Sequence, residues 1–180
     1  MGRAYYYLSA SLPVLNFFVK PSITLEYFLK ECERLMAPQD FKKIHLAVSD
    51  KDPQGKLGQD SFGQWIRFNR DFRNEMAYFR AKRAGREPQK YMRGERNPEG
   101  WMGDVIAQAA KAPDPLSAER VLDAARFEYL EKLAAGQFMN FDFLLTYGLK
   151  LKMIERYQQV ESAKGEEIFQ DLKKIDIKLD

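Results

Sequence analysis

The sequence predicts an all-α protein, an irregular multi-helix bundle with a long C-terminal helical hairpin. Apolar residues recur at steps of three and four in at least three long segments, which is the repeat of a helix face and not of a strand. One glycine, Gly136, divides the last two of these segments. An apolar content of 45%, with 13% aromatics, supplies a core to a chain of 180 residues and excludes wholesale disorder.

Along the chain, 5–12 is ambiguous: three tyrosines and some alternation suit a strand, while Ala10 and Leu12 suit a helix that Pro13 would end. This aromatic stretch is expected to tuck into the core. Thr24 opens an amphipathic helix to about residue 36, with Leu25, Phe28, Leu29 and Leu35 on its apolar side. Pro38 starts a shorter helix that turns Phe41, Ile44 and Val48 inward. Residues 49–61 form a loop, because Pro53, Gly55 and Gly58 break any periodicity. Its acids lack the ligand spacing and closing glutamate of a calcium loop. Trp65, Phe68, Phe72, Met76 and Phe79 then draw an aromatic stripe along a long helix over 62–84, with Arg67, Arg70 and Arg73 off that stripe.

Gly85 stops this helix and introduces a loop-rich basic segment, 85–103, which Trp101 anchors to the core. A short alanine-rich helix over 104–112 precedes the hairpin at 114–157. Asp114 and Pro115 form its start signal, an acceptor for exposed N–H groups followed by a residue that tolerates the first helical position. Ala118, Leu122, Ala125, Tyr129 and Leu133 make one stripe, and Gly136 closes the helix. The return helix is expected to use Asp142 as its N-cap and carries two apolar faces. Phe143, Leu144, Tyr147, Leu151 and Ile154 form the first; Leu145, Leu149 and Met153 form the second. A second face means either a central place in the bundle or a surface for a partner protein. After Gly165, Ile168, Phe169 and Leu172 suggest a final short helix and a frayed end. The chain reads as a single α-helical domain over 1–180.

No residue pattern points to catalysis, a cofactor or a metal. Cys32 and His45 are the only thiol and imidazole, too few for a transition-metal site or a nucleophilic triad. Glycine-rich phosphate loops are absent. One cysteine fits a reducing compartment, and the N-terminus lacks the charged and apolar blocks of a signal peptide. Gly2 is not followed by the acylation hydroxyl, since Tyr6 stands at that position. A cytoplasmic location is expected.

The charge balance carries one further signal. The net charge is +3, yet 62–96 holds ten Lys and Arg against four acids, a local +6 that leaves −3 for the remainder. Such asymmetry describes docking surfaces. Arg67, Arg70, Arg73, Arg80, Lys82 and Arg83 could face an acidic protein, solvent, nucleic acid or anionic lipid. The neighbouring aromatics follow the core stripe, which favours the first two.

Three blocks carry a family resemblance: Tyr5-Tyr6-Tyr7-Leu8-Ser9-Ala10-Ser11-Leu12-Pro13, the run from Asp114 through Val121-Leu122-Asp123 to Phe127, and Leu144-Leu145-Thr146-Tyr147-Gly148-Leu149 continuing to Tyr157. Together they resemble an uncharacterised bacterial family encoded alongside the genes of V-type (archaeal-type) ATP synthases. More distantly, they are similar to the all-helical C-type component of that machine, the d-type component in eukaryotes, which is longer and built from three related helical segments. The resemblance implies a non-catalytic accessory or C-like component that helps couple the ion-transporting membrane rotor to the central stalk. It implies partners in the rotor ring or stalk, no small-molecule substrate, and a cytoplasmic place peripheral to the inner membrane through the complex. Leu145, Leu149 and Met153, steered by Arg67, Arg70 and Arg73, are the candidate protein interface. The alternative is an α-helical nucleic-acid-binding or regulatory protein using the basic 62–96 segment.

Overall fold

The computed structural model describes residues 5–49 and 58–161. Seven α-helices and no strand occur among them: α1 (Tyr6–Ser11), α2 (Leu25–Leu35), α3 (Pro38–Val48), α4 (Ser61–Arg83), α5 (Gly100–Ala109), α6 (Pro115–Ala134) and α7 (Phe141–Glu161). A 3-10 turn, Pro88–Tyr91, lies between α4 and α5. The all-α expectation holds. Most of the expected 49–61 loop, and the short helix expected after Gly165, lie outside the described residues.

The starts of the long helices follow their capping chemistry. Thr24 accepts from the Tyr27 N–H, Asp60 from Gly63 and Asp114 from Ser117, each satisfying an amide that has no partner within its helix. At the end of α4 the Arg86 N–H reaches the Ala81 carbonyl and the Gly85 N–H reaches Lys82. Gly85 has φ of 66°, the left-handed geometry such a termination needs. The turn between α6 and α7 uses Gly136 at φ 74° in the same way.

One ambiguity is resolved and two expectations are corrected here. The ambiguous 5–12 stretch is helical over Tyr6–Ser11. Tyr5 and Leu8, one turn apart, point into the core, and the Tyr5 N–H donates to the Met139 carbonyl at 2.6 Å. Only part of its aromatic surface is tucked in, since Tyr6 and Tyr7 on the other side of the turn are exposed. Second, α5 begins at Gly100 and not at 104, because Trp101 and Met102 are drawn into the core and carry the backbone into helix with them. Third, Asn140 and not Asp142 caps α7: its side-chain oxygen accepts from the Phe143 N–H at 3.0 Å.

A single hydrophobic cluster takes side chains from every helix. Its middle is α7, which packs against α6, α3, α2 and α4. The α2 crossing is close because Gly148 has no side chain; a Cβ there would lie 2.7 Å from the Phe28 ring. On the far side an aromatic stack joins α4 to α6 and α5. Phe68 lies parallel to Tyr129 at 3.7 Å between centroids and stacks on Trp101 at 6.0 Å. Trp101 thus anchors its segment as expected.

Polar contacts tie the elements together where apolar packing ends. Glu155 of α7 accepts the Leu25 N–H at the start of α2 at 2.7 Å. Asp123 of α6 is 1% exposed and receives Arg126 from its own helix and Arg156 from α7. Burial works against the Arg156 charge, but the hydrogen bonds and charge of Asp123, with help from Glu119, outweigh it and hold its pKa above the ordinary value. Lys150 and Glu131 make a second link between α6 and α7.

Candidate functional site

The candidate interface residues do not form one surface, and the other reading of the second α7 face, a central place in the bundle, is the one its burial supports. Leu145, Leu149 and Met153 are buried in the main cluster, with Leu149 only 3% exposed. Helices surround α7, so its second apolar face meets protein just as the first does. This stripe is packing and offers nothing to a partner. Arg156, three residues beyond Met153, is committed to Asp123 and Glu119.

The three arginines also separate. At 100° per residue, Arg67, Arg70 and Arg73 spread over about 120° of the α4 surface. Arg67 donates to the Gly58 carbonyl at 2.8 Å and so ties down the chain ahead of α4. Arg70 pairs with Asp71 at 3.2 Å. Arg73 is exposed and has no ion pair among the described residues.

Two surfaces take the place of the expected one. The first is the segment 5–19, a strap that runs alongside α7. Its start is bound to Met139, the Pro13 carbonyl accepts the Tyr147 hydroxyl at 2.9 Å, and Phe17 packs on Tyr157 and Phe127. Tyr5, Leu8 and Phe17 hold the strap down from inside. Its outer side presents Tyr6, Tyr7, Val14, Phe18 and Val19, with Tyr7 92% and Val14 98% exposed. Beside its start, at the α6–α7 turn, Phe138 is 80% exposed. The next residue, Met139, sits at φ 57°, a conformation a non-glycine residue adopts at a cost. Large apolar side chains concentrated on one short segment mark an interaction surface more than scattered ones do. Adjacent Phe17 and Phe18, one buried and one exposed, show why the pattern was illegible: nothing in an irregular segment dictates which ring turns inward.

The second surface is the outer side of α4 with the segment that follows it. The loop-rich segment that follows α4 is pinned to the helix. Asn74 donates to the Arg93 carbonyl at 2.9 Å and accepts the Arg93 N–H at 2.8 Å. Arg96 grips Glu75 with two nitrogens at 2.7 and 2.8 Å, and its guanidinium lies 4.0 Å over the Tyr78 ring. Asn74 and Glu75 are buried polar residues whose partners lie about twenty positions on, a pairing that helical periodicity does not reveal.

Cys32 and His45 stay apart in character. Burial, and then the charge of Glu31, push the Cys32 thiol up to about 12, while His45 is exposed on α3 beside Phe41. Among the described residues no group of three or more His, Cys, Asp or Glu is placed to hold a metal ion. No helix among them is long and apolar enough to cross a membrane.

Residues 102–177 match a family described as "Protein of unknown function (DUF2764)". The match takes in most of α5 and the whole α6–α7 hairpin, including the Leu122-Asp123 and Leu144–Tyr157 blocks, and stops short of the strap. No curated protein and no solved structure matches the chain. Over its C-terminal part, then, this chain is similar to an uncharacterised family.

Proposed function

We propose that this chain is a non-catalytic accessory or C-like component of a V-type ATP synthase, helping couple the membrane rotor to the central stalk. It acts on the cytoplasmic side and meets the membrane only through the complex. The observation that carries the docking role is the outward apolar row Tyr6, Tyr7, Val14, Phe18 and Val19, presented by a strap anchored at its start, middle and end. The choice of partner rests on the resemblance of three sequence blocks. Supporting it, those blocks adjoin in space: the strap lies along α7, and Asp123 of the middle block binds Arg156 of the last.

Affinity purification of the native ATP synthase with this chain tagged is the test. The wild-type chain brings down rotor-ring or stalk proteins. The double substitution Tyr7→Asp with Phe138→Asp leaves the melting temperature of the isolated protein unchanged and abolishes the co-purification, because both side chains are exposed. Recovery of no ATP synthase component refutes the partner; undiminished recovery by the double variant refutes the docking surface.

The nucleic-acid or regulatory alternative draws on the +6 of 62–96. It gains less from the side-chain arrangement, since Arg67, Arg70 and Arg96 are engaged within the protein. Binding of that kind would rest on phosphate neutralisation and fall away by about 200 mM salt. Sequence-selective binding that survives such salt would favour the alternative.

A further inference from the structure

The α4 surface separates arginines that serve the fold from arginines that do not. Arg67, Arg70 and Arg96 bind the Gly58 carbonyl, Asp71 and Glu75, while Lys90 pairs with Glu87. Arg73, Arg80, Arg83 and Arg86 are exposed and have no ion pair among the described residues. At 100° per residue, Arg73, Ala77, Arg80 and Ala84 fall within about 60° of one another, and Arg73 and Arg80 stand about 10 Å apart along the axis. Arg83, the last residue of the helix, lies about 60° round from Arg80, and Arg86 follows just past the helix end. The pinned loop leaves this face open. Its holders Asn74, Glu75 and Tyr78 centre about 140° further round the helix.

A helix C-terminus attracts cations, and that accounts for Arg80 and Arg83 in the last turn. It does not account for Arg73, well before that turn, or for Arg86, beyond it. Four like charges left on the C-terminal part of α4 and just past its end carry a repulsive cost that an opposite charge would relieve. The two alanines between the arginines let a partner backbone come close. All four cations are guanidinium groups, whose planar fork matches a carboxylate in two hydrogen bonds.

We propose that the α4 face formed by Arg73, Arg80, Arg83 and Arg86 docks a carboxylate-rich segment of a partner protein. This goes beyond the strap interface and stands independently of the ATP synthase assignment. A single-stranded nucleic acid would need successive open rings for its bases. Here the Tyr78 ring is covered by Arg96, Trp65 and Phe68 lie in the core, and Tyr91 on the 3-10 turn is an isolated exposed ring. The face therefore offers forks for carboxylates and no stacking platform.

The full chain, titrated with a labelled oligoglutamate peptide and separately with single-stranded DNA of equal charge at the same salt, tests this. Saturable peptide binding, tighter than the DNA, is expected. Arg80→Glu with Arg83→Glu weakens it by about tenfold or more, since two attractive contacts become repulsive. Lys30→Glu with Arg34→Glu on α2 makes an equal charge change elsewhere and leaves binding within about twofold. Replacing all four arginines by lysine keeps the net charge and still weakens binding severalfold, because the fork is lost. Melting temperatures verify that the variants fold, and Arg73→Glu alone serves as a second probe in mid-helix. Absence of saturable peptide binding at low salt overturns the proposal. So does an equal loss in the α2 double variant, which would mean a diffuse field, or tighter binding of the DNA, which would mean a nucleic-acid surface.

Discussion

Arg156 of α7 donates to both carboxylate oxygens of Asp123 on α6, at 2.6 and 2.5 Å. Arg126 meets the same carboxylate from within α6 at 2.7 Å, and its guanidinium lies 5.0 Å over the Phe72 ring of α4. One buried acid thus links three helices. Removing it leaves Arg126 in the interior with only a longer contact to Glu119 at 3.8 Å, whereas removing Arg156, which is half exposed, leaves Asp123 still paired. Asp123→Ala should cost about 3 kcal/mol and Arg156→Ala about 1 kcal/mol. Urea denaturation of both variants checks the order; a smaller loss for Asp123→Ala would mean that the cluster is structurally idle.

Leu149 lies at the centre of the buried second face of α7. Leu149→Ala should destabilise the protein by about 2–5 kcal/mol, through lost burial and the cavity left behind. Leu149→Asp should unfold it, since a carboxylate there would be buried within the hydrophobic cluster. Circular dichroism of the aspartate variant decides: a folded protein with an unchanged melting temperature would return this stripe to the surface.

Gly148 lets α7 approach the fully buried Phe28 ring. Gly148→Ala should cost about 1–3 kcal/mol from overpacking, although alanine is the better helix former. Phe28→Leu in the same chain should recover part of that loss, and the coupling between the two substitutions is the quantity to measure. Strict additivity would show that the close approach is not what demands glycine.

Asn74 replaces a backbone partner for both the N–H and the carbonyl of Arg93. Asn74→Ala should raise amide exchange over 86–99 and lower global stability by about 1–3 kcal/mol, the effect of deleting a buried polar anchor. Hydrogen-exchange mass spectrometry reads the segment directly. Unchanged exchange there would assign the pinning to the Arg96–Glu75 pair alone.

Alkaline pH should unfold the protein through Tyr147. Its burial pushes the phenol from 10 to about 12 while its hydroxyl donates to Pro13. A pKa raised on folding contributes stability that is fully present below the unfolded value, near 10, and is lost as pH rises towards about 12. Tyr129, raised by burial, and Cys32, pushed up to about 12, act in the same direction. Tyr147→Phe should flatten the pH dependence between these values, as seen in denaturant midpoints. An identical slope in the variant would place the alkaline transition on the other groups.

The long helices and most of their ends are legible in the residues alone. Thr24, Asp114, Gly85 and Gly136 act within one or two turns of their own position, so each is legible without neighbours. The aromatic stripe of α4 was legible for the same reason, because a period survives in one dimension. Where amphipathic surplus goes depends instead on how the helices pack. The second face of α7 reads identically as interface or core until α2, α3 and α4 are seen around it. The arginines of α4 and its following segment have the same chemistry on paper. Their roles divide only when Gly58, Asp71 and Glu75 come within reach of three of them. The strap is the extreme case. It has no long period to read, and its orientation was set by partners more than a hundred residues away, Met139 and Tyr147, whose hydrogen bonds decide which side faces water.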